Sequence, residues 1–382
     1  MPDELRVSRC LSAPHKGPRL LFFSGGSALN SISRRLKSYT HNSAHLITPF
    51  DSGGSSEVLR NAFGMPAVGD LRSRIMALAE ETDLGQPDIV RLFSHRFPSD
   101  AAPQALEREV ELVLSGEHDL VRAVPQPMRM LVISHLRSFA QRAPIDFDYA
   151  GGSVGNLVIA GGYLEHERLM EPALFMMSKM MDVLGTVRSV IDANLHIGAE
   201  YDDGRMVIGQ KQITGKELDA PKARITRLFL SDGDREVPAN EITLPKRNRR
   251  LIGKADLICY PPGSLFSSVG ANLLPARTGK EIAARQVPKI YVPSLGADPE
   301  CYGMDLADQV GALLSILRQD AGKSAAATDL ITHVLCDLSV QEQQCAHVTD
   351  TFGIPCVRLP LADESGARYD TTAFCEMLVS LV

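Results

Sequence analysis

The chain has 382 residues, with 46 Asp+Glu against 40 Lys+Arg for a net charge of −6, and it is 44% apolar and 23% charged, the composition of an ordinary globular protein. It contains no run of about 18 apolar residues that would predict a membrane helix, and Met1-Pro2-Asp3-Glu4 opens no apolar leader, so no secretory signal is predicted. The seven cysteines are odd in number with no Cys-x-x-Cys pair, which predicts reduced thiols in a cytoplasmic setting and argues against a disulfide framework or a zinc knuckle. The acidic balance, the lack of Trp and only 5% aromatics leave little with which to neutralise phosphates or stack bases along a strand, so nucleic acid is excluded as a partner.

Residues 1–17 are polar, carry Pro14 and Gly17, and read as a loose N-terminal tail. Leu20-Leu21-Phe22-Phe23 is a continuous apolar run of strand length, the pattern of a buried parallel strand. It ends in Ser24-Gly25-Gly26-Ser27, and residues 29–36 read as a helix. Residues 45–49 form a second run, ending in Phe50-Asp51-Ser52-Gly53-Gly54-Ser55-Ser56 before a helix from Glu57. After Val68-Gly69-Asp70, Leu71, Ile75, Leu78 and Ala79 fall at helical spacing. Residues 101–145 read as helical with breaks at Pro125 and Pro127. Gly151 to Asn156 is a glycine loop opening an apolar helix over 157–164, and the Met-rich stretch 169–184 is a core helix. Between 187 and 230 the chain turns β-rich, with a hairpin turn at Asp202-Asp203-Gly204, and about 187–245 is predicted as an inserted strand region. Residues 255–260, 290–292, 332–336 and 355–359 read as further strands separated by helices. Strands alternating with helices predict one α/β domain over 18–382, a Rossmann-like, mostly parallel sheet with helices on both faces.

Four small-residue loops, 24–28, 51–56, 151–156 and 262–268, each follow an apolar strand or open a helix. Glycine lets the backbone approach a ligand closely, and a helix start offers free N–H groups and partial positive charge, a combination suited to phosphate. In open α/β sheets such loops gather beyond the carboxyl ends of the strands. Asp51 and Asp70 are the candidate acids. Each precedes or follows a glycine turn where a carboxylate accepts a proton from a hydroxyl or holds Mg²⁺ beside phosphates, or else simply caps a turn. Arg72 is a candidate phosphate clamp or a plain salt-bridge partner.

Other motifs read less well. Gly-x-Gly-x-x-Gly is absent from the first loop, and Gly322-Lys323-Ser324 lacks the earlier P-loop glycine, where Leu317 stands. Gly151-Gly152-Ser153-Val154-Gly155 matches the nucleophile elbow, with Asp337 and His347 in the right order for a serine hydrolase, but Phe147-Asp148-Tyr149-Ala150 before it is a poor strand. Lys246, Arg247, Arg249, Arg250 and Lys254 read as a solvated basic face, with phosphate steering as the alternative. His41 and His45 share helical spacing without the Glu of a His-Glu-x-x-His site.

Taken in order, the loops make the chain resemble the 2-phospho-L-lactate transferase (CofD-like) family, near the branch of the bacterial gluconeogenesis factors. The family's Gly-Gly-Thr-Gly corresponds to Gly25-Gly26-Ser27-Ala28, and its Asp-Asp-Gly-Gly-Ser-Ser to Asp51 through Ser56. Its Pro-Pro-Gly-Asp-Ile-Arg-Asn corresponds to Ala67 through Ser73, and its Gly-His-x-x-Gly-Asn-Leu to Gly151 through Leu157. The long segment from Ala255-Asp256 through Pro262-Gly263-Ser264-Leu265-Phe266-Ser267-Ser268 to Asn272-Leu273-Leu274 matches another family stretch. The resemblance implies a nucleotide cleft on a Rossmann-like sheet. In the transferase branch an acceptor hydroxyl attacks phosphorus with Mg²⁺ assistance and a nucleoside monophosphate leaves; in the other branch the cleft binds a nucleotide sugar. The chain departs from the family pattern at Ser52, Gly152, Ser73 and Ser27-Ala28, where polar groups are lost while most glycines stay.

The resulting expectation is a cytoplasmic protein that binds a nucleotide-diphosphate-linked small molecule and transfers a phosphoryl-linked group to a hydroxyl acceptor. The alternative is a non-catalytic nucleotide-sugar sensor acting on a protein partner. Gly25, Gly26, Gly53, Gly54, Gly155 and Gly263 are expected at the phosphates; Ser27, Ser55, Ser56, Ser264, Ser267 and Ser268 as hydroxyl donors; Asn156 and Asn272 as orienting groups. Asp51 is expected as the base or metal contact, with Asp70 and Arg72 framing the acceptor. Mg²⁺ is the implied cofactor, no membrane partner is expected, and a symmetric homodimer fits a protein of this kind.

Overall fold

The computed structural model describes residues 2–81, 85–215 and 221–382. The chain divides into two compact units. One comprises the chain up to Thr48, Leu184–Ile191 and Leu195–Val382; the other comprises Pro49–Val183 and Asp192–Asn194.

The first unit is built on a seven-stranded sheet. Its strands are β1 (Leu20–Ser24), β2 (Ala44–Ile47), β3 (Thr186–Ser189), β8 (Leu257–Tyr260), β9 (Lys289–Tyr291), β10 (His333–Asp337) and β11 (Cys356–Leu359), in the order β11-β10-β9-β8-β1-β2-β3. Every pairing is parallel. The fully buried pattern of β1, β2 and β8 is what helices on both faces demand of central strands. Leu20 and Phe22 of β1, Leu257 and Cys259 of β8, and Ile290 of β9 pack on one face with Ile32 and Leu36 of helix Asn30–Leu36 and Phe374 and Leu378 of helix Thr371–Ser380. The chain leaves β1 toward β2 and β3 and later builds β8 to β11 outward from β1's other side. The sheet's switch in winding direction therefore lies between β1 and β8.

The predicted β-rich region is present, but its first strand, β3, belongs to the main sheet. The remainder, β4 (His196–Tyr201), β5 (Met206–Ile208), β6 (Ile225–Ser231) and β7 (Glu236–Val237), forms an antiparallel sheet in the order β5-β4-β6-β7, with Gly204 at φ +84° in the expected turn between β4 and β5.

Two expectations need correction. Residues 1–17 are not a loose tail. Asp3 accepts from the Leu5 and Arg6 N–H groups and caps helix Glu4–Ser12, which buries Val7 and packs on helix Thr371–Ser380. The polar composition misled because an amphipathic helix with one buried contact is mostly polar. The single domain expected over 18–382 is interrupted between β2 and β3 by a helical segment that buries its own core and forms the second unit.

Among the described residues the regular elements of that second unit are all helices, with one isolated antiparallel bridge between Arg96 and Ser153. Its centre is helix Val154–Glu165, buried at every position from Val154 to Tyr163, crossing helix Met128–Ala140. The crossing is close enough that a Cβ on Gly161 would run into the His135 carbonyl oxygen. Phe139 packs edge-on against Phe63 at 5.3 Å and Phe147 at 5.2 Å between ring centroids, closing the core beside it. Among the described residues no helix is long and apolar enough to cross a membrane.

Candidate functional site

In the first unit, two of the four glycine loops leave β1 and β8, the strands flanking the switch point. Asn272, fully buried, ties them together: its Nδ2 donates to Ser24 O at 2.9 Å and to Ser268 O at 2.8 Å. Gly263 sits at φ +152°, a region L side chains avoid, and a Cβ there would touch Ala28 Cβ at 3.8 Å and Ser268 Cβ at 3.9 Å. Ser294 fixes this turn by accepting from Gly263 N at 3.0 Å and donating to Gly263 O at 2.9 Å. Between the two loops and residues 294–295 and 367–369 lies a cleft of ≈ 490 Å³, with Ser27, Asn30, Arg34, Gly263 and Arg368 on its walls. Asn30, Arg34, Ser294 and Arg368 were not picked out from the sequence, since none lies in a glycine loop.

The serines of the 262–268 loop divide. Ser264 and Ser268 are half-buried and their hydroxyls make no hydrogen bond among the described residues; the same holds for exposed Ser27. Ser267 is different. It is 2% exposed and its hydroxyl donates to Glu300 Oε1. Glu300 Oε2 also accepts from the Phe266 and Ser267 N–H groups at 2.9 Å, and Asp298 Oδ2 accepts from Leu265 N at 3.0 Å. The N–H groups that would cradle a phosphate at the start of this helical turn are thus taken by two carboxylates of the chain itself. Ser267 is a strut of the loop, not a free donor. Burial, reinforced by the negative charge of Asp298, pushes Glu300 up to about 7. The orphan here is Asn272 Oδ1, which is buried with no partner among the described residues.

In the second unit, Asp51 is half-buried and its Oδ1 accepts from Gly53 N at 3.1 Å, closing an Asx turn. Gly54, at φ +48°, opens helix Gly54–Phe63. Arg60, missed from sequence, is buried beneath the loop and its Nη1 donates to the carbonyls of Phe50 and Asp51 at 3.2 Å. Gly69 packs on the same loop: a Cβ there would lie 2.6 Å from Ser56 Oγ and 3.5 Å from Asp51 Oδ2. Ser56 is buried, and Ser55 Oγ accepts from Asn156 Nδ2 at 3.0 Å. Asn156 is 1% exposed, with Oδ1 unpartnered among the described residues. Loops 51–56, 69–70 and 151–156 are therefore brought together as one cluster.

Asp70 and Arg72 have structural work there. Arg74 is fully buried and held down at about 9 by that burial, with the opposing charge of Asp70 as its stabiliser. Arg72 Nη1 donates to Phe93 O at 3.1 Å, its stem lies where a Cβ on Gly155 would collide, and burial, helped by Arg96, lowers it to about 10. Gly155 is thus needed for packing over Arg72.

The hydrolase reading fails on its nucleophile. Ser153 is fully buried and its hydroxyl donates to Phe93 O at 3.3 Å. Asp337 accepts from the backbone N–H groups of Ser339, Leu361 and Ala362; burial alone would raise it, but these bonds prevail and hold it near 2. His347 faces Asp305 at 3.4 Å. Of the basic run, helix Lys246–Lys254 buries only Asn248 and Ile252, and Asn248 Nδ2 anchors the end of β3 through Ser189 O and Val190 O. His45 is buried, stacked on Phe22 at 4.9 Å.

An open parallel sheet with small-residue loops after the two strands at its switch point defines an α/β protein of the Rossmann-like class. The chain belongs to the family described as 2-phospho-L-lactate transferase CofD, whose model matches residues 20–354. Among curated proteins, the gluconeogenesis factor of Bacillus subtilis is 28% identical over 302 residues, covering 78% of this chain and 74% of that protein. A putative gluconeogenesis factor of Nostoc sp. is likewise 28% identical over 302 residues, but the match spans only 52% of its length, so this chain corresponds to about half of that relative. Among solved structures, a member of the UPF0052 family from Bacillus halodurans superposes with a TM-score of 0.69 at 21% identity, covering 95% of this chain and 99% of that one, a likeness of fold.

Proposed function

We propose that this chain binds a nucleotide-diphosphate-linked small molecule at the loops after β1 and β8, and that it moves a phosphoryl-linked group from that donor to a hydroxyl acceptor, as its family name suggests. The observation that carries the binding is the position of the cleft. It lies at the switch point of an open parallel sheet, walled by Gly263, Ser27, Arg34 and Arg368, with the unengaged hydroxyls of Ser264 and Ser268 on the adjoining turn. Two cationic side chains and small hydroxyl donors suit an anionic, oxygen-rich ligand. Phosphoryl transfer asks mainly for positioning and charge stabilisation, so few reactive side chains suffice.

Asp51 is the residue proposed as base or Mg²⁺ contact. Mg²⁺ keeps most of its waters and takes one or two carboxylates. The 51–56 loop offers a single one, because Ser52 carries none. This also favours the second reading, a non-catalytic nucleotide-sugar regulator, as do Gly152 and the names of the curated relatives.

Calorimetric titration with a panel of nucleoside diphosphates and nucleotide sugars tests the binding. A Ser264→Ala/Ser268→Ala double variant is expected to bind at least about tenfold more weakly, the loss of charge-assisted hydrogen bonds. If no compound binds, or the variant binds as well as the parent, the reading is wrong. Release of nucleoside monophosphate with Mg²⁺, lost in Asp51→Asn, supports the transferase; tight binding without product at any Mg²⁺ level supports the regulator.

A further inference from the structure

We propose that Cys336, Cys345 and Cys356 form a binding site for a soft d¹⁰ cation, of the Zn²⁺ or Cu⁺ kind. Cys336 lies on β10, Cys356 on β11, and Cys345 on helix Glu342–Phe352, which connects those strands. Their Sγ atoms all lie within 4.8 Å of one another. The other four thiols, Cys10, Cys259, Cys301 and Cys375, join no such cluster among the described residues.

The register explains the convergence. Cys356 stands opposite Val334 and Cys336 opposite Arg358, so Cys336 and Cys356 are diagonal neighbours on one face of the parallel pair. The crossover helix covers that face and presents Cys345, 8% exposed. The same register argues against a disulfide across the strands. Strands about 4.8 Å apart and a two-residue offset of about 6.6 Å place the diagonal Cα atoms roughly 8 Å apart, beyond the roughly 7 Å a disulfide spans without backbone movement. A shared ion has no such requirement. Sulfurs about 2.3 Å from a common centre lie roughly 4 Å from one another, so these three need only a small contraction.

Thiolate-only ligation selects soft cations over Mg²⁺ or Ca²⁺. Loading replaces three S–H protons by three metal–sulfur bonds and releases the protons to solvent. Arg358 shares the cluster's face as the register partner of Cys336, and its guanidinium, held by Glu342 Oε1 at 2.7 Å and Leu338 O at 2.9 Å, offsets the negative charge left on the loaded site. Cys336 is fully buried whereas Cys356 is half-buried, so the ion enters from the Cys356 side. A fourth position on Zn²⁺ would be taken by water.

The other cluster of metal-type ligands among the described residues, His95, Glu109 and His118 in the second unit, is not a rival. His118 Nδ1 accepts from Leu120 N at 3.2 Å, which leaves the proton on Nε2, and His95 Nε2 is engaged by Glu109 at 2.7 Å.

The test uses the full chain, reduced and kept anaerobic, titrated with Cd²⁺ alone while the ultraviolet thiolate-to-cadmium charge-transfer band is recorded. One Cd²⁺ per chain is expected. Cys345→Ser should weaken binding by more than about tenfold, and Cys10→Ser/Cys301→Ser should leave it unchanged. Should Cys345→Ser misfold by circular dichroism, Cys356→Ser at the half-buried position replaces it. The proposal is overturned if no saturable band appears, if neither cluster variant changes it, or if mild oxidation joins two of the three cysteines in non-reducing peptide mapping while Cd²⁺ leaves the protein unaltered.

Discussion

Glu300 shows how a single buried carboxylate organises a loop that looked ready for a ligand. It receives three donors from Phe266 and Ser267, which favour its charged form, yet burial and the nearby Asp298 prevail and its pKa stands near 7. The sign follows from linkage. Unfolded, the carboxyl ionises near 4.5, so through the window from about 4.5 to 7 the folded chain holds a proton that the unfolded chain has lost, and stability falls as pH rises. Thermal midpoints measured near pH 5 and near pH 8 should show this decline in the parent and a flatter profile in Glu300→Gln. Equal slopes in both proteins would assign the pH dependence elsewhere. At this scale the sequence could be read only in part. Ser264, Ser267 and Ser268 are alike in a string of letters, and only the fold reveals that one of them turns inward to Glu300. Asp70 and Arg72 sat in a recognisable motif; Asp70 faces Arg74 at i,i+4 spacing on one helix, a local relation, whereas the hold of Arg72 on Phe93 O depends on a segment brought near by packing.

Helices Val154–Glu165 and Met128–Ala140 cross without room for a single additional methyl group at Gly161. Gly161→Ala should therefore destabilise the chain by about 3 kcal/mol, the upper range for overpacking against backbone that has nowhere to move. Chemical denaturation monitored by circular dichroism measures it, and a change within about 0.5 kcal/mol would show that the helices readily separate. Helix Glu4–Ser12 makes a milder case. Asp3→Ala removes a side-chain cap from the Leu5 and Arg6 N–H groups and should cost about 1 kcal/mol. A lowered thermal midpoint checks it; an unchanged one would mean that the docking of Val7 alone holds this helix. The apolar runs of β1, β2 and β8 were legible because a strand buried on both faces tolerates little that is polar; β11, an edge strand half-buried at every position and carrying Arg358, is free of that constraint. The capped N-terminal helix was not, since Asp3 alone is as common in turns as at helix starts.

At the scale of the whole molecule, the strand order places the loops after β1 and β8 on neighbouring central strands although more than half the chain separates them in sequence. The helical unit that begins at Pro49 falls between two strands that pair directly, β2 and β3. From composition it was indistinguishable from ordinary crossover helices, and that is why one domain was expected where the chain forms two compact units. What could be deduced without coordinates rests on local physics: the period of apolar residues sets strand against helix, and glycine marks where backbone must turn. What needed the fold is everything that depends on two distant segments meeting at a defined register. The pairing of Ser267 with Glu300, the burial of Ser153 and the meeting of Cys336, Cys345 and Cys356 are of this kind, because a one-residue slip in a strand or a modest rotation of a helix would turn each of those side chains to the opposite face.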